Sequence, residues 1–516
     1  MRLPALGETA AEDFSAGTER RLGEQIMADI VRDPDYLDDP VMVEYLLSLW
    51  TPLVASARAR GELDADIDQQ FAWEAFLVRD RTVNAFALPG GWVGVHLGLI
   101  AMTASRDELA SVLAHELSHV TQRHIARSVV NSQRASLAGI AGAILAVLAA
   151  SRSNNADLVQ AAMVGGQAVA IQGQLNFSRD MEREADRIGF GVLTGAGFAP
   201  SGMAAMFDKL DSANRINDNG AFPYLRSHPL TVERISEARS RNLFADPAAA
   251  AAKAAPQLLH AMMQGRARVL MDPSAQSLRR LQEPLSGPSR AGGKEHIGQL
   301  YAGALASAVL RDHAMAQTAV QQALSLVATA SPADAQAERY LQLLQVQVAL
   351  ARGDVALALQ TLDRITLAPD TRAPMMLRAQ AALDWQRQGG AQAGLAAIEV
   401  RRSTEALQVW VAGHKRDGTA WSMLSNTAEA AGLRLRSLRA NAEARAAEGD
   451  LNGAIDRLRA AQQAARSASV GQDFIEASII DSRLRDLQGQ RRQLALEARG
   501  NRAGRGPGPD GETPPQ

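Results

Sequence analysis

The chain has 516 residues, 54 basic against 56 acidic side chains and 47% apolar residues. That length calls for more than one hydrophobic core, and the charge balance excludes a strongly basic nucleic-acid or anionic-membrane binder. The lack of cysteine excludes disulfides, thiolate metal sites and cysteine nucleophiles, and it suits an oxidising compartment.

From the N-terminus, MRLPALGETAAEDFS carries one basic residue and no apolar run of signal-peptide length. Helical periodicity follows over Glu19–Arg32 and Val41–Ala57. Two aromatic and β-branched runs, Phe71–Asp80 and Asn84–Val95, read as strands, the second folded about a Pro89-Gly90-Gly91 turn. Helical period resumes over Arg106–Val130 and Arg179–Leu193. Between them lies the uncharged stretch Ala135–Ser151, 17 residues with two glycines. It falls short of the ~20 residues that span a bilayer. With Leu158–Ser178 it reads as a flap over a cleft or as buried core helices. The expectation for residues 1–245 is therefore an α+β domain, mainly α, with a small sheet.

Near Asp246 the composition shifts to an alanine run, and from about 255 to 497 nearly everything has helical period. Val348–Ile365 resembles Ala444–Ala461: each has a helix end, a Gly-Asp pair and a second helix. The pairs start at Gly353 and Gly449, 96 residues apart, close to three tetratricopeptide periods of ~34. Thr419–Gly432 adds the Trp and small-residue pattern of a first repeat helix. Stacked hairpins of this kind form an α-solenoid with a concave partner surface. The expected organisation is a first domain at 1–245, a linker at 246–254, a repeat domain of tetratricopeptide (TPR) type at 255–497 and a disordered Gly/Pro-rich tail at 498–516.

The chemistry concentrates in His115-Glu116-Leu117-Ser118-His119. Histidines four apart lie on one helix face and can share a Zn²⁺. Glu116, ~100° around the axis, can reach a water polarised there and act as its base. Catalytic zinc usually takes a third protein ligand. Downstream, Glu182 can ligate, and Asp186 one turn on can accept a hydrogen bond from the second nitrogen of a ligating His. Glu184 competes, but sits ~200° from Glu182. Taken without the upstream motif, Arg179–Arg187, with four acids and three bases, reads as a solvated helix face. His124, nine residues past His115 on a continuous helix, is expected ~180° away and pointing from the metal. His96, His260, His296, His313 and His414 read as surface or packing residues.

His115-Glu116-x-x-His119, Ser178-Arg179 and Glu182-x-x-Ala185-Asp186 resemble the zinc metallopeptidase family of the heat-shock protease HtpX and the CAAX prenyl endopeptidase. Asn84–Gly91, Gly98–Ile100 and Ser227–Ile235 are similar to its soluble periplasmic BepA-like branch. The resemblance implies a gluzincin protease domain followed by a TPR domain. It implies one zinc per chain on His115, His119 and Glu182, with Glu116 as general base. It places His228 near the metal, either filling the open coordination position or steadying the oxyanion. Arg234, behind it, reads equally as a partner of a site carboxylate or as a surface residue. Asn84, Ala85, Phe86 and Ala87 are implied as a substrate-binding edge strand. The implied function is endopeptidase cleavage of misfolded or misassembled envelope proteins, with chaperone activity and an outer-membrane assembly complex as TPR partner. The alternative is a chaperone or adaptor with a latent zinc site. Leu3–Gly7 resembles the start of a mature periplasmic member, which implies a cleaved leader.

Overall fold

The computed structural model describes residues 14–131, 142, 145, 178–216, 222–243, 257–287, 292–330, 333–368, 370–467 and 474–503. The chain divides into two compact units, Met1–Pro374 and Met375–Gln516.

In the first unit, α1 (Ala16–Ile30) leads through β1 (Tyr36–Leu37) to α2 (Pro40–Ala59) and α3 (Ala65–Gln70). The strands β2 (Glu74–Val78), β3 (Ala85–Leu88) and β4 (Trp92–His96) follow. The sheet order is β1-β2-β4-β3. β2 and β4 run parallel, while the β1–β2 and β3–β4 pairs are antiparallel. The expected strands are present, and the Pro89-Gly90-Gly91 turn closes the β3–β4 hairpin. β4 is buried at every position, so its aliphatic and aromatic residues lie in the core, whereas β3 is the sheet edge. The two-residue β1 was not anticipated, being too short to carry a period. The fold class is as expected at this level: mainly helical, with one small mixed sheet.

After β4 come α4 (Leu97–Met102), α5 (Arg106–Thr121) and α6 (His124–Asn131). Beyond 177 come α7 (Arg179–Gly195), α8 (Ser201–Ile216), the single turn α9 (Tyr224–Ser227) and α10 (Val232–Leu243). The continuous helix expected over Arg106–Val130 is two helices. The Ala135–Ser151 and Leu158–Ser178 stretches lie almost wholly outside the described residues. Among the described residues, one helix, α2, is long and apolar enough to cross a membrane. Its buried side chains, Tyr45, Leu46, Leu49, Trp50 and Leu53 among them, pack in the unit's core against α5, α7 and β2.

α1 crosses the hairpin turn so closely that a Cβ on Gly23 would overlap the Pro89 carbonyl and the Trp92 ring. Gly23→Ala is therefore expected to destabilise the protein by about 1–3 kcal/mol through overpacking. Gly489→Ala, where nothing lies within 4 Å, should be neutral or stabilise by up to about 1 kcal/mol. Urea denaturation of the two variants checks the contrast.

The first unit does not stop at the expected linker, 246–254, which itself lies outside the described residues. α11 (Leu258–Met271) is bonded into the sheet-bearing part. His260 Nδ1 lies 2.6 Å from the Tyr45 hydroxyl and its Nε2 2.9 Å from the Thr103 carbonyl. Arg266 donates to both oxygens of Asp39 at 2.6 and 2.7 Å. α12 (Ala275–Gln282), a 3-10 turn at Glu283–Ser286, α13 (Gly293–Val309), α14 (His313–Ala328), α15 (Ala335–Ala351) and α16 (Val355–Arg364) continue the unit.

α17 (Arg372–Gln388) leads into the second unit, which holds α18 (Ala393–Gly413), α19 (Gly418–Ala430), α20 (Arg434–Ala447), α21 (Leu451–Ser467) and α22 (Phe474–Ala503). One core gathers Leu407, Val411, Trp421 and Leu424; another gathers Leu435, Ile455, Leu458, Ile480 and Leu484. α22 runs to Ala503, into the first residues of the expected tail, and 504–516 lie outside the described residues.

Both Gly-Asp pairs sit at helix corners. Gly353 and Gly449 have φ of 81° and 77°, the left-handed conformation that ends a helix and that glycine adopts without Cβ strain. Asp354 then caps α16 by accepting from Leu357 N at 3.0 Å, and Asp450 caps α21 by accepting from Gly453 N at 2.8 Å.

Candidate metal centre

α5 supplies the first half of the site. Ser105 accepts from Glu108 N at 3.1 Å, and Glu108 accepts from Ala104 N at 2.7 Å. This reciprocal cap starts the helix. Asp107 to Thr121 are all buried, because α2, α7, α8 and the β3–β4 edge pack around it. One turn of separation brings the two imidazoles together, with His115 Nε2 and His119 Nε2 3.0 Å apart.

α7 supplies the second half. Ser178 caps it by accepting from Met181 N at 3.2 Å. Glu182, Asp186 and Gly189 fall on one stripe at spacings i, i+4 and i+7. At Gly189 the missing side chain permits close approach: a Cβ there would stand 3.1 Å from the Ala114 carbonyl of α5. The stripe therefore faces the histidines. Glu182 lies 3.5 Å from His115 Nε2 through Oε2 and 3.4 Å from His119 Nε2 through Oε1. Asp186 Oδ1 is 2.9 Å from His115 Nδ1, the nitrogen turned away from the cluster.

The corner after α9 adds His228. Its Nδ1 is 2.9 Å from Glu182 Oε1 and 3.3 Å from His115 Nε2, and its Nε2 is 3.5 Å from Glu116 Oε1. One donor atom each from His115, His119, Glu182 and His228 falls within 4.8 Å of the other three, and all four residues are buried. Three imidazoles and a carboxylate form a donor set that suits Zn²⁺. The Glu116 carboxylate is fully buried, and neither oxygen has a hydrogen-bond partner among the described residues. A polarised water at the donor set would satisfy it.

The electrostatics follow from burial and proximity. Burial pushes the Glu116 carboxyl up, the neighbouring His228 and His115 opposing. Burial opposes a charge on His115, but the bonds to Asp186 and Glu182 outweigh it and raise the ring to about 10. His119 is driven down by burial and by the adjacent His115. Glu182, despite burial, is held far below the usual carboxylate range by His228 and His115.

Arg234 is a buried partner of the site carboxylates and not a surface residue. Its Nε and Nη2 donate to Asp186 at 2.6 and 2.9 Å, and Nη1 lies 2.7 Å from Glu182 Oε2. Tyr224, which sequence reasoning passed over, stacks on His228 with ring centroids 4.6 Å apart. Its only signal was a lone aromatic four residues before His228 in a short turn. His124 departs from expectation most. The break at Gln122-Arg123 turns the chain, and His124 Nδ1 arrives 2.8 Å from His119 Nδ1 instead of pointing away. Glu184, weighed as a ligand competitor, bonds His124 Nε2 at 3.0 Å. His96 and His260 are buried packing residues. His414 stacks on Trp410 at 3.8 Å. Asn84, Ala85, Phe86 and Ala87 form and precede β3; Asn84 and Ala85 are buried.

Residues 57–242 match the profile of Peptidase family M48. A putative beta-barrel assembly-enhancing protease of Vibrio cholerae is 38% identical over 244 residues, 47% of each chain. The chain thus spans about half the length of that relative. The beta-barrel assembly-enhancing protease of Escherichia coli is 28% identical over 489 residues, covering 94% of this chain and 92% of that one. A mitochondrial metalloendopeptidase of Schizosaccharomyces pombe is 34% identical over 163 residues, 32% of this chain and 44% of that one. The matched segment contains every residue of the four-donor cluster, so the cluster lies wholly within the part of the chain that is similar to Peptidase family M48, whose members are zinc metallopeptidases.

Proposed function

We propose that this chain is a zinc-dependent endopeptidase acting on unfolded or misassembled outer-membrane proteins in the periplasm, with His228 as a fourth donor that holds the site in a self-capped state. The observation that carries the reading is the convergence of His115, His119, Glu182 and His228 beside the fully buried Glu116 carboxylate.

Bound Zn²⁺ supplies Lewis acidity that polarises a peptide carbonyl and acidifies water. Glu116 takes the proton from the attacking water, and burial raises its carboxyl in the direction a general base requires. Asp186 orients His115 through Nδ1. Tyr224, stacked on His228, holds that ring over the donors. The edge strand β3, with Asn84 before it and Ala85 to Ala87 within it, takes an extended substrate as an added strand; backbone pairing of this kind is tolerant of sequence. The substrate class is supported by the names of the Vibrio and Escherichia relatives. A TPR-like reading of the helical hairpins, supported by the repeated Gly-Asp corners, gives a surface for an assembly complex or for chaperone-type holding.

The test is cleavage of casein and of an unfolded β-barrel protein by the full chain, with and without a zinc chelator. The wild type should cleave slowly, and chelation should abolish cleavage. His228→Ala should cleave several-fold faster, because the fourth position opens. A several-fold slower variant would assign His228 to the oxyanion instead, and chelator-resistant cleavage would sink the zinc reading.

A further inference from the structure

The first histidine of the motif is oriented by a carboxylate, Asp186. The second, His119, has its Nε2 in the donor cluster, so its Nδ1 must carry the proton if Nε2 is to present a lone pair to a metal. Its neighbour there is not a carboxylate but His124 Nδ1, at 2.8 Å. His124 in turn places Nε2 3.0 Å from Glu184 Oε2, and Arg127 Nη1 lies 2.9 Å from the same oxygen.

Donor and acceptor bookkeeping fixes the direction of this chain. An ionised carboxylate only accepts, so the bond to Glu184 places the His124 proton on Nε2. A neutral imidazole has one donor and one acceptor, so His124 Nδ1 accepts. The His119 Nδ1 proton then points at His124, and the lone pair of His119 Nε2 points at His115, Glu182 and His228. Reversing any one bond breaks another.

The backbone is committed to this arrangement. A continuous helix would carry His124 to the far side. α5 instead ends at Thr121, Arg123 takes a φ of 51°, and His124 opens α6. A non-glycine residue in that left-handed region is strained by its Cβ. The corner is held by Arg123 donating to Glu19 Oε2 at 3.0 Å and to the Phe14 carbonyl. His124 is fully buried, while the Glu184 and Arg127 side chains are 23% and 22% exposed.

We propose that His124 and Glu184 are positioning residues for the zinc site: Glu184 holds the His124 ring in the Nε2–H tautomer, and His124 thereby fixes the tautomer and orientation of the ligand His119. This rests on the zinc reading above, and its readout is zinc affinity, not peptidase activity.

The experiment is competition between the full-chain protein and a chromogenic chelator for Zn²⁺, with thermal melts of the metal-free proteins in parallel. His124→Leu should bind zinc about 10–100-fold more weakly than the wild type. His124→Asn, whose amide oxygen restores an acceptor near the Nδ1 position, should recover most of that loss while melting no higher than the leucine variant. Glu184→Leu should weaken zinc binding in the same direction, and Glu184→Gln, which keeps an acceptor oxygen, should not. Equal zinc affinity for wild type, His124→Leu and Glu184→Leu would overturn the proposal, as would a loss that asparagine fails to recover. If His124→Leu does not fold, the Glu184 pair decides by the same comparison. A wild-type protein that takes up no zinc would overturn the metal reading beneath it, a distinct result.

Discussion

Glu116→Gln is expected to lower kcat for peptide hydrolysis by about 10²–10⁴-fold, the usual contribution of a positioned general base, while zinc uptake stays at one ion per chain. The substitution keeps shape and volume, so the donor cluster is undisturbed. It also removes a fully buried carboxylate with no hydrogen-bond partner within ordinary distance among the described residues, whose pKa burial raises against the opposing His228, His115 and Tyr224. Burying a charge whose hydrogen bonds are not fully made is costly, so the variant should melt at or above the wild-type temperature. Activity and stability then move in opposite directions, which simple misfolding cannot produce. Progress curves on casein and a melt of the same preparation check both halves; hydrolysis near the wild-type rate would remove Glu116 from the reaction.

Arg234→Met should have the largest effect on stability, a loss of about 3–5 kcal/mol in metal-free protein. The guanidinium is 4% exposed and is shared by two carboxylates, Asp186 and Glu182, each 2–3% exposed. Burial alone would raise Asp186, yet Arg234 and His115 hold it below the usual carboxylate range. Deleting the cation leaves Asp186 buried without its main partner and takes one of its cations from Glu182, the situation in which breaking a buried pair costs most. Bound zinc should offset part of the loss by compensating Glu182. Arg234→Lys should recover little, because one ammonium cannot reproduce a fork that bonds Asp186 bidentately while reaching Glu182. Urea denaturation of chelated and zinc-loaded protein checks the magnitude and the offset; a variant within about 0.5 kcal/mol of wild type would mean the cluster carries no net strain without its arginine.

Some of this is legible in the sequence alone. The i, i+4 spacings His115–His119 and Glu182–Asp186 each put two side chains on one helix face, a property of the helix alone. The Pro-Gly-Gly turn announced the β3–β4 hairpin, and the Gly-Asp pairs announced helix corners. Three other features were not legible. β1 is two residues long and exists because it pairs with β2. Arg234 looks like any helical arginine until α10 lays it against α7. The helix break before His124 has no Gly or Pro to mark it; the left-handed Arg123 is stabilised by Glu19, 104 positions earlier.

The sequence by itself determined which residues could bind a metal, because ligand chemistry and helical spacing are local. Only the tertiary structure decided which of them meet. The close approach of α7 to α5 at Gly189 brings Glu182 and Asp186 onto the histidines. The turn at α9 delivers His228 and Tyr224, and the Arg123 corner brings His124 round behind His119. These are contacts between segments separated by 46 to 113 residues, or forced by such contacts, and their free energy comes from burial and charge pairing that no local pattern encodes.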